Sequence, residues 1–382
     1  MPTAQPGASP KSTRRIRLVV PGNVLHNSGG NVYNAALTER LIALGVEVDT
    51  YRVDGEWPIG SEADRRRFGS LLSELAVEDR TAVTIVDGLV ASGAPEEMER
   101  SAAEGRPVWV LLHMPLKTPE VEGPALERRT LAAAAGVMTT SSSVAAMVRE
   151  RHGIDGVTAA LPGTEPAPLA LGSNPPHLIA VAALLPNKDQ LILLGALAQL
   201  TDLPWTASLI GSDSADEGYA NEVRAAVERL GVDSRVRLAG ELGGEEFDAE
   251  WKAADLSLLV SRAEAYGLVV PESLAHGLPV IVRAGTGAVE ALHAGSTQGN
   301  DEEAGGERER GTLPGTAVGL DTDPTPLAEV LRSWLTEPGL RTKWRTAALA
   351  ARERLPGWED TARTVLDAVD REALQREESG RR

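Results

Sequence analysis

Cysteine is absent from the 382 residues, which excludes a disulfide scaffold and a thiolate metal site and fits a reducing, cytoplasmic setting. Positive charge is scarce: 38 Lys and Arg face 55 Asp and Glu, a formal net charge of −17. Binding to a phosphate backbone needs a basic face, so no nucleic-acid partner is expected. Long hydrophobic runs are missing as well. The longest, Leu191–Leu200, is broken by Gly195 and Gln199 and falls far short of the roughly 20 residues of a membrane span. The apolar run Ile16–Val20 behind Arg14, Arg15 and Arg17 is too short for a signal-peptide core. Neither export nor a transmembrane segment is expected, and peripheral membrane contact has no support in the sequence.

What is present is globular material, 42% hydrophobic and 24% charged, and long enough for two cores. Strand-like runs alternate with longer helix-like patterns: Ile16–Val20, Val46–Tyr51, Ala82–Val86 and Val108–Leu112, then Leu178–Val181, Ala207–Ile210, Val236–Ala239, Leu256–Val260 and Pro279–Val282. That alternation predicts βαβ units around parallel sheets, an α/β chain of two Rossmann-like, doubly wound domains. Between the two sets lies Leu161–Pro176, with five prolines and two glycines, which fits neither a helix nor a central strand. The division is therefore a loose tail 1–13, an N-terminal domain 14–174, a C-terminal domain 175–355 and a terminal stretch 356–382. Ser296–Gly311 lacks apolar residues and reads as a mobile surface insertion. Trp358–Leu374 has a helical pattern with one apolar face (Thr361, Val365, Leu366, Val369), expected to pack back on the N-terminal domain ahead of a charged tail.

The segment most informative about chemistry is Ser261–Gly277, which follows one apolar strand and precedes another. Pro271 belongs in a helix's first turn and Gly277 suits its C-terminal end, so the helix begins near Tyr266–Val269. Glu264 then lies on the loop and Glu272 inside the helix, with seven residues between them. The open amides of Gly267, Leu268 and Val269 form an anion site at the carboxyl edge of a parallel sheet, which suits a diphosphate. Carboxylates beside it repel phosphate but accept hydrogen bonds from hydroxyls, which points to a sugar nucleotide. Taken alone, the spacing also fits a solvated loop acid and a helix-start acid.

The segment resembles the E-x7-E signature of family 4 glycosyltransferases, with Glu264, Tyr266-Gly267 and Glu272 in register and HGLPVIV following as the next strand. Other pieces are similar in the same order. Val181–Gln190 resembles the strand and loop carrying a donor-binding lysine, and GNVLHNSGGNVYNAALTERLIALGVEV resembles the opening glycine loop and helix. Val110–His113 resembles a strand ending in histidine. The resemblance implies a GT-B fold and a retaining, metal-independent transfer from a nucleotide diphosphate sugar, UDP- or GDP-linked, to an acceptor, with no cofactor and no bound metal. It further implies that Lys188 neutralises the leaving diphosphate, Glu272 binds ribose hydroxyls, and Glu264 and His113 face the donor sugar. Tyr266, Gly267, Leu268 and Val269 surround the donor, and the loop His26–Asn31, with Gly29 and Gly30, approaches from across the cleft.

One residue departs from that pattern. The family carries an arginine five residues before the donor lysine, and this chain has Ala183 there, leaving Arg283 or Arg262 as candidate substitutes. Asp87-Gly88 and Asp321–Asp323 raise a metal site, but the latter precedes Pro324 and a helical pattern, which is helix-start chemistry. Two rivals stay open: an epimerase or hydrolase of the same fold acting on a sugar nucleotide, and a non-catalytic protein that binds one.

Overall fold

A strand buried on both faces needs a nearly unbroken apolar run, and Val108–Leu112 (VWVLL) is buried at every position. In the computed structural model, which describes residues 14–24, 28–116, 123–294, 296 and 312–380, such runs assemble into two parallel sheets of six strands each. The first contains β1 (Arg15–Pro21), β2 (Glu47–Val53), β3 (Val83–Asp87), β4 (Val108–Leu112), β5 (Gly136–Thr139) and β6 (Thr158–Ala159), ordered β2-β1-β3-β4-β5-β6. The second contains β7 (His177–Val181), β8 (Thr206–Ile210), β9 (Val236–Gly240), β10 (Leu256–Leu259), β11 (Val280–Arg283) and β12 (Gly315–Val318), ordered β12-β11-β10-β7-β8-β9.

Three strands lack an apolar run in the sequence: β5, β6 and β12. β6 is two residues long, and β12 (GTAV) is buried only at its ends. Position in the sheet makes them strands: β5 and β12 pair in register with the strongly apolar β4 and β11, and β6 pairs with β5 at the sheet's edge.

The strand orders fix where ligands go. In the first sheet the winding reverses between β1 and β3, and in the second between β7 and β10. Crevices in such sheets open at the carboxyl ends of the strands flanking the reversal. The loops after β1, β3, β7 and β10 are therefore the ones that meet in the cleft between the sheets.

The segment 160–176 crosses between the sheets without regular structure, tied down by Thr164 N–H to Pro356 O (2.9 Å) and Ala170 N–H to His276 O (3.0 Å). The final helix, Trp358–Gly380, crosses back. Its buried face of Trp358, Ala362, Val365, Ala368 and Val369 joins Ile16, Leu18, Tyr33 and Leu37 of the first sheet's layer. Thr361 donates to Leu161 O at 2.6 Å, and Asp370 pairs with Arg14. No helix among the described residues is long and apolar enough to cross a membrane. The tail 1–13, His26 and Asn27, the inserted stretch beyond Ser296 and the final residues 381–382 lie outside the described residues.

Candidate active site

The cleft encloses a cavity of about 710 Å³ lined from both sheets. Gly29, Gly30 and His113 line it from the first, and Lys188, Glu264, Gly267, Leu268, Val269 and Glu272 from the second. Tyr266 is brought near but turned away: it is 3% exposed and packs with Val270, Leu274 and Ala288 in the second domain's core. Its side chain does not line the cavity, unlike the expectation from the resemblance, because its ring is taken up in that apolar cluster.

The second domain supplies the half that carries Lys188, Glu264 and Glu272. The turn Pro186–Lys188 places Lys188 beside Glu264, with Nζ donating to Oε1 at 2.6 Å. The Glu264 loop is braced from behind by Gly287 N–H on Glu264 O (2.9 Å). The short helix Val269–Ala275 follows, and the amides of Gly267, Leu268 and Val269 donate to no backbone carbonyl. Glu272 stands one turn inside, half-buried at the wall of the cleft and without an ion-pair partner among the described residues. Burial pushes its carboxyl up to about 7.

Neither arginine considered as a substitute at Ala183 is free to serve. Arg283 is buried, donating from Nε to Val260 O (2.8 Å) and from NH1 to Leu320 O (2.9 Å), and it pairs with Asp189 through NH2. Arg262 grips the same Asp189 in bidentate fashion at 2.9 and 3.0 Å. Asp189 itself sits in the left-handed region (φ 56°) immediately after Lys188, so the two guanidinium groups fix the lysine's turn instead of facing the cleft. Lys188 is the one Lys or Arg among the described residues lining the cavity, facing Asp87, Glu241, Glu264 and Glu272.

The first domain supplies the other half. Ser28 caps the helix Gly29–Ala43, and Gly30 lets it approach His113: a Cβ at position 30 would lie 3.4 Å from the imidazole Cδ2. The loop after His113 is anchored by Glu127, fully buried, which accepts from Leu116 N–H (2.6 Å) and bonds His152 (2.7 Å). Asp87 and Asn34, not assigned to the site from sequence, stand behind His113. The two halves are clasped by Glu290, whose carboxylate accepts from Ser142 N–H (2.9 Å) and Ser143 N–H (3.0 Å) at the start of the helix Ser142–His152. No group of three or more His, Asp or Glu suited to a metal occurs among the described residues.

Two doubly wound domains meet at this cleft. Residues 164–350 match the family model described as glycosyl transferases group 1. D-inositol 3-phosphate glycosyltransferase of Kineococcus radiotolerans is 29% identical over 217 residues, which is 55% of this chain and 47% of the relative. The chain spans about half or less of the length of the curated relatives it matches. Sucrose-phosphate synthase of Thermosynechococcus elongatus has a similar fold, with a TM-score of 0.73 at 18% identity over 97% of this chain and 100% of the other. Anabaena HepE, solved in complex with UDP and glucose, gives 0.64 at 16% identity over 93% and 99%. The fold is the two-domain GT-B fold of these solved structures, and residues 164–350, just under half of the chain, are similar to the group 1 glycosyl transferases.

Proposed function

We propose that the chain transfers a sugar from a UDP- or GDP-linked donor to an acceptor hydroxyl with retention of anomeric configuration and without a metal ion. The carrying observation is the opposition, in one cleft, of Lys188, Glu264, Glu272 and unpaired amides against His113 and the Gly29-Gly30 helix start. In this reading the diphosphate lies on the amides and Lys188, the ribose on Glu272, and the donor sugar between Glu264 and His113. The glycosidic C–O bond to phosphate breaks while the acceptor oxygen bonds to carbon on the same face, and the departing phosphate oxygen takes the acceptor's proton. Preorganised positive charge and positioning then carry the catalysis. Solved relatives that hold UDP and glucose support the donor class.

The test is incubation with a panel of UDP and GDP sugars and candidate acceptors, with products read by mass spectrometry and anomeric configuration by NMR. A glycoside of retained configuration, formed undiminished in excess chelator, is expected. Free sugar with no glycoside would favour the hydrolase or epimerase reading, and binding with no turnover the non-catalytic one. Restoration by manganese after chelation would overturn metal independence.

A further inference from the structure

His113 is enclosed on three sides. Its Cδ2 edge lies against Gly30, Tyr33 meets the ring edge to face with centroids 5.2 Å apart, and Nε2 faces two oxygens: Asn34 Oδ1 at 3.0 Å and Asp87 Oδ2 at 3.3 Å. The orientation of the Asn34 amide follows from chemistry, because its Nδ2 donates to Asp87 Oδ2 (3.1 Å), and the reverse would set oxygen against carboxylate. Asp87 Oδ1 is occupied by Leu89 N–H (2.9 Å). With acceptors alone before it, Nε2 must carry hydrogen, and the neutral ring keeps its lone pair on Nδ1. Nδ1 bonds no group among the described residues and is not sealed in the interior, while the side chain as a whole is 18% exposed toward the cleft.

We propose that Asp87 and Asn34 are positioning residues that lock His113 in the Nε2–H tautomer, so that Nδ1 is the atom offered to a hydroxyl of the sugar or acceptor. The inference rests on the reading above that His113 faces the transferred sugar, and it extends that reading to one atom and two further residues. Asp87 is 3% exposed and Asn34 6%; Asp87 borders the cavity, but both its carboxylate oxygens are already engaged, by Leu89 N–H on one and by Asn34 and His113 on the other.

Two independent measurements test it. Long-range ¹H–¹⁵N spectra of the full chain, with His113 assigned by its loss in His113→Gln, are expected to show protonated Nε2 and bare Nδ1 at neutral pH. In Asp87→Asn, which keeps an oxygen for Leu89 N–H but offers Nε2 a donor, the tautomers are expected to mix or invert. Nδ1–H in the wild type, or an unchanged spectrum in Asp87→Asn, overturns the lock. The second measurement is turnover. His113→Asn sets its amide where Nδ1 lies, and His113→Gln sets it where Nε2 lies, so the Asn variant is expected to keep at least about tenfold more kcat. Equal loss or the reverse order overturns the assignment to Nδ1. Asp87→Asn and Asn34→Ala are expected to lower kcat by about 10–100-fold with donor KM little changed, as for other groups that orient a working imidazole. Full activity in both His113 variants would instead remove His113 from the reaction, a failure of the functional reading that leaves the spectra to judge the tautomer alone.

Discussion

Among the described residues Glu272 has no ion-pair partner, and burial pushes its carboxyl up to about 7. A carboxyl raised above its ordinary value binds more protons in the folded than in the unfolded chain between those two values. Its contribution to stability is therefore present at low pH and lost as pH rises through about 7. Glu272→Gln is expected to raise the melting temperature relative to wild type at pH 8 and to leave it unchanged at pH 4. Ribose hydroxyls donate to the ionised form, so nucleotide binding near neutrality should expel a proton. Calorimetry in buffers of different ionisation heat is expected to show that release in wild type and not in Glu272→Gln. The variant should also bind UDP more weakly by about 1.5–3 kcal/mol, the worth of hydrogen bonds to a charged group. Proton uptake on binding would contradict the ribose assignment. At Ala183 the opposite change is informative. Because Arg262 and Arg283 are committed to Asp189, an arginine introduced there meets no rival for the diphosphate. Ala183→Arg is expected to tighten UDP binding about ten- to a hundredfold with a steeper salt dependence and to leave uridine unaffected. An unchanged Kd in a titration of both ligands would mean that position 183 does not face the phosphates.

Among the elements, the helix Ser142–His152 holds the second domain by its N-terminus. Two first-turn amides end on Glu290, and Ser143 Oγ donates to Ala265 O (3.4 Å) beside the Glu264 loop. Carboxylate at a helix start gains from the open N–H groups and the dipole, roughly 0.3–1 kcal/mol when exposed and more with paired bonds. Glu290→Ala is expected to widen the cleft without unfolding either domain. Small-angle scattering of the unliganded variant should show a larger radius of gyration, donor KM should rise about tenfold, and the melting temperature should stay nearly constant. An unchanged radius would show that other contacts hold the domains closed. This contact and the His113 pair mark the limit of what the sequence displays. Strong apolar runs announce nine strands, and the resemblance to the family's motifs picks out Lys188, Glu264 and Glu272, because those signals are local. Asp87 and Asn34 carry no local signal of a link to His113: Asp87 stands out in the sequence only as raising a metal site beside Gly88, and Asn34 reads as an ordinary helix residue. They gain meaning when β3, β4 and the helix Gly29–Ala43 converge, bringing together residues 53 and 79 positions apart. β5, β6 and β12 escape notice for a similar reason, since pairing with a neighbour rather than composition makes them strands.

Taken whole, the molecule is joined by two crossings, 160–176 and the turn before Trp358, and the second returns a helix from the far domain to complete the first. Trp358 is 6% exposed and meets Tyr33 edge to face at 5.3 Å, so it fills the layer over β1. Trp358→Ala is expected to cost about 3–5 kcal/mol, seen as a fall in denaturation midpoint for the first domain's transition. The fragment 14–174 is expected to remain poorly folded alone and to gain cooperative unfolding when a peptide spanning 356–374 is added. Cooperative folding of the fragment without the peptide would show that the returning helix is dispensable. During synthesis this arrangement imposes a wait. Roughly 200 residues separate the end of β6 from Trp358, and at about 5–20 residues per second the ribosome needs ~10–40 s to supply the missing layer. Throughout that interval the face of the helix Gly29–Ala43 that packs on the final helix, Tyr33 included, lacks its cover, and the nascent N-terminal half is expected to engage chaperones until the rest of its own chain arrives.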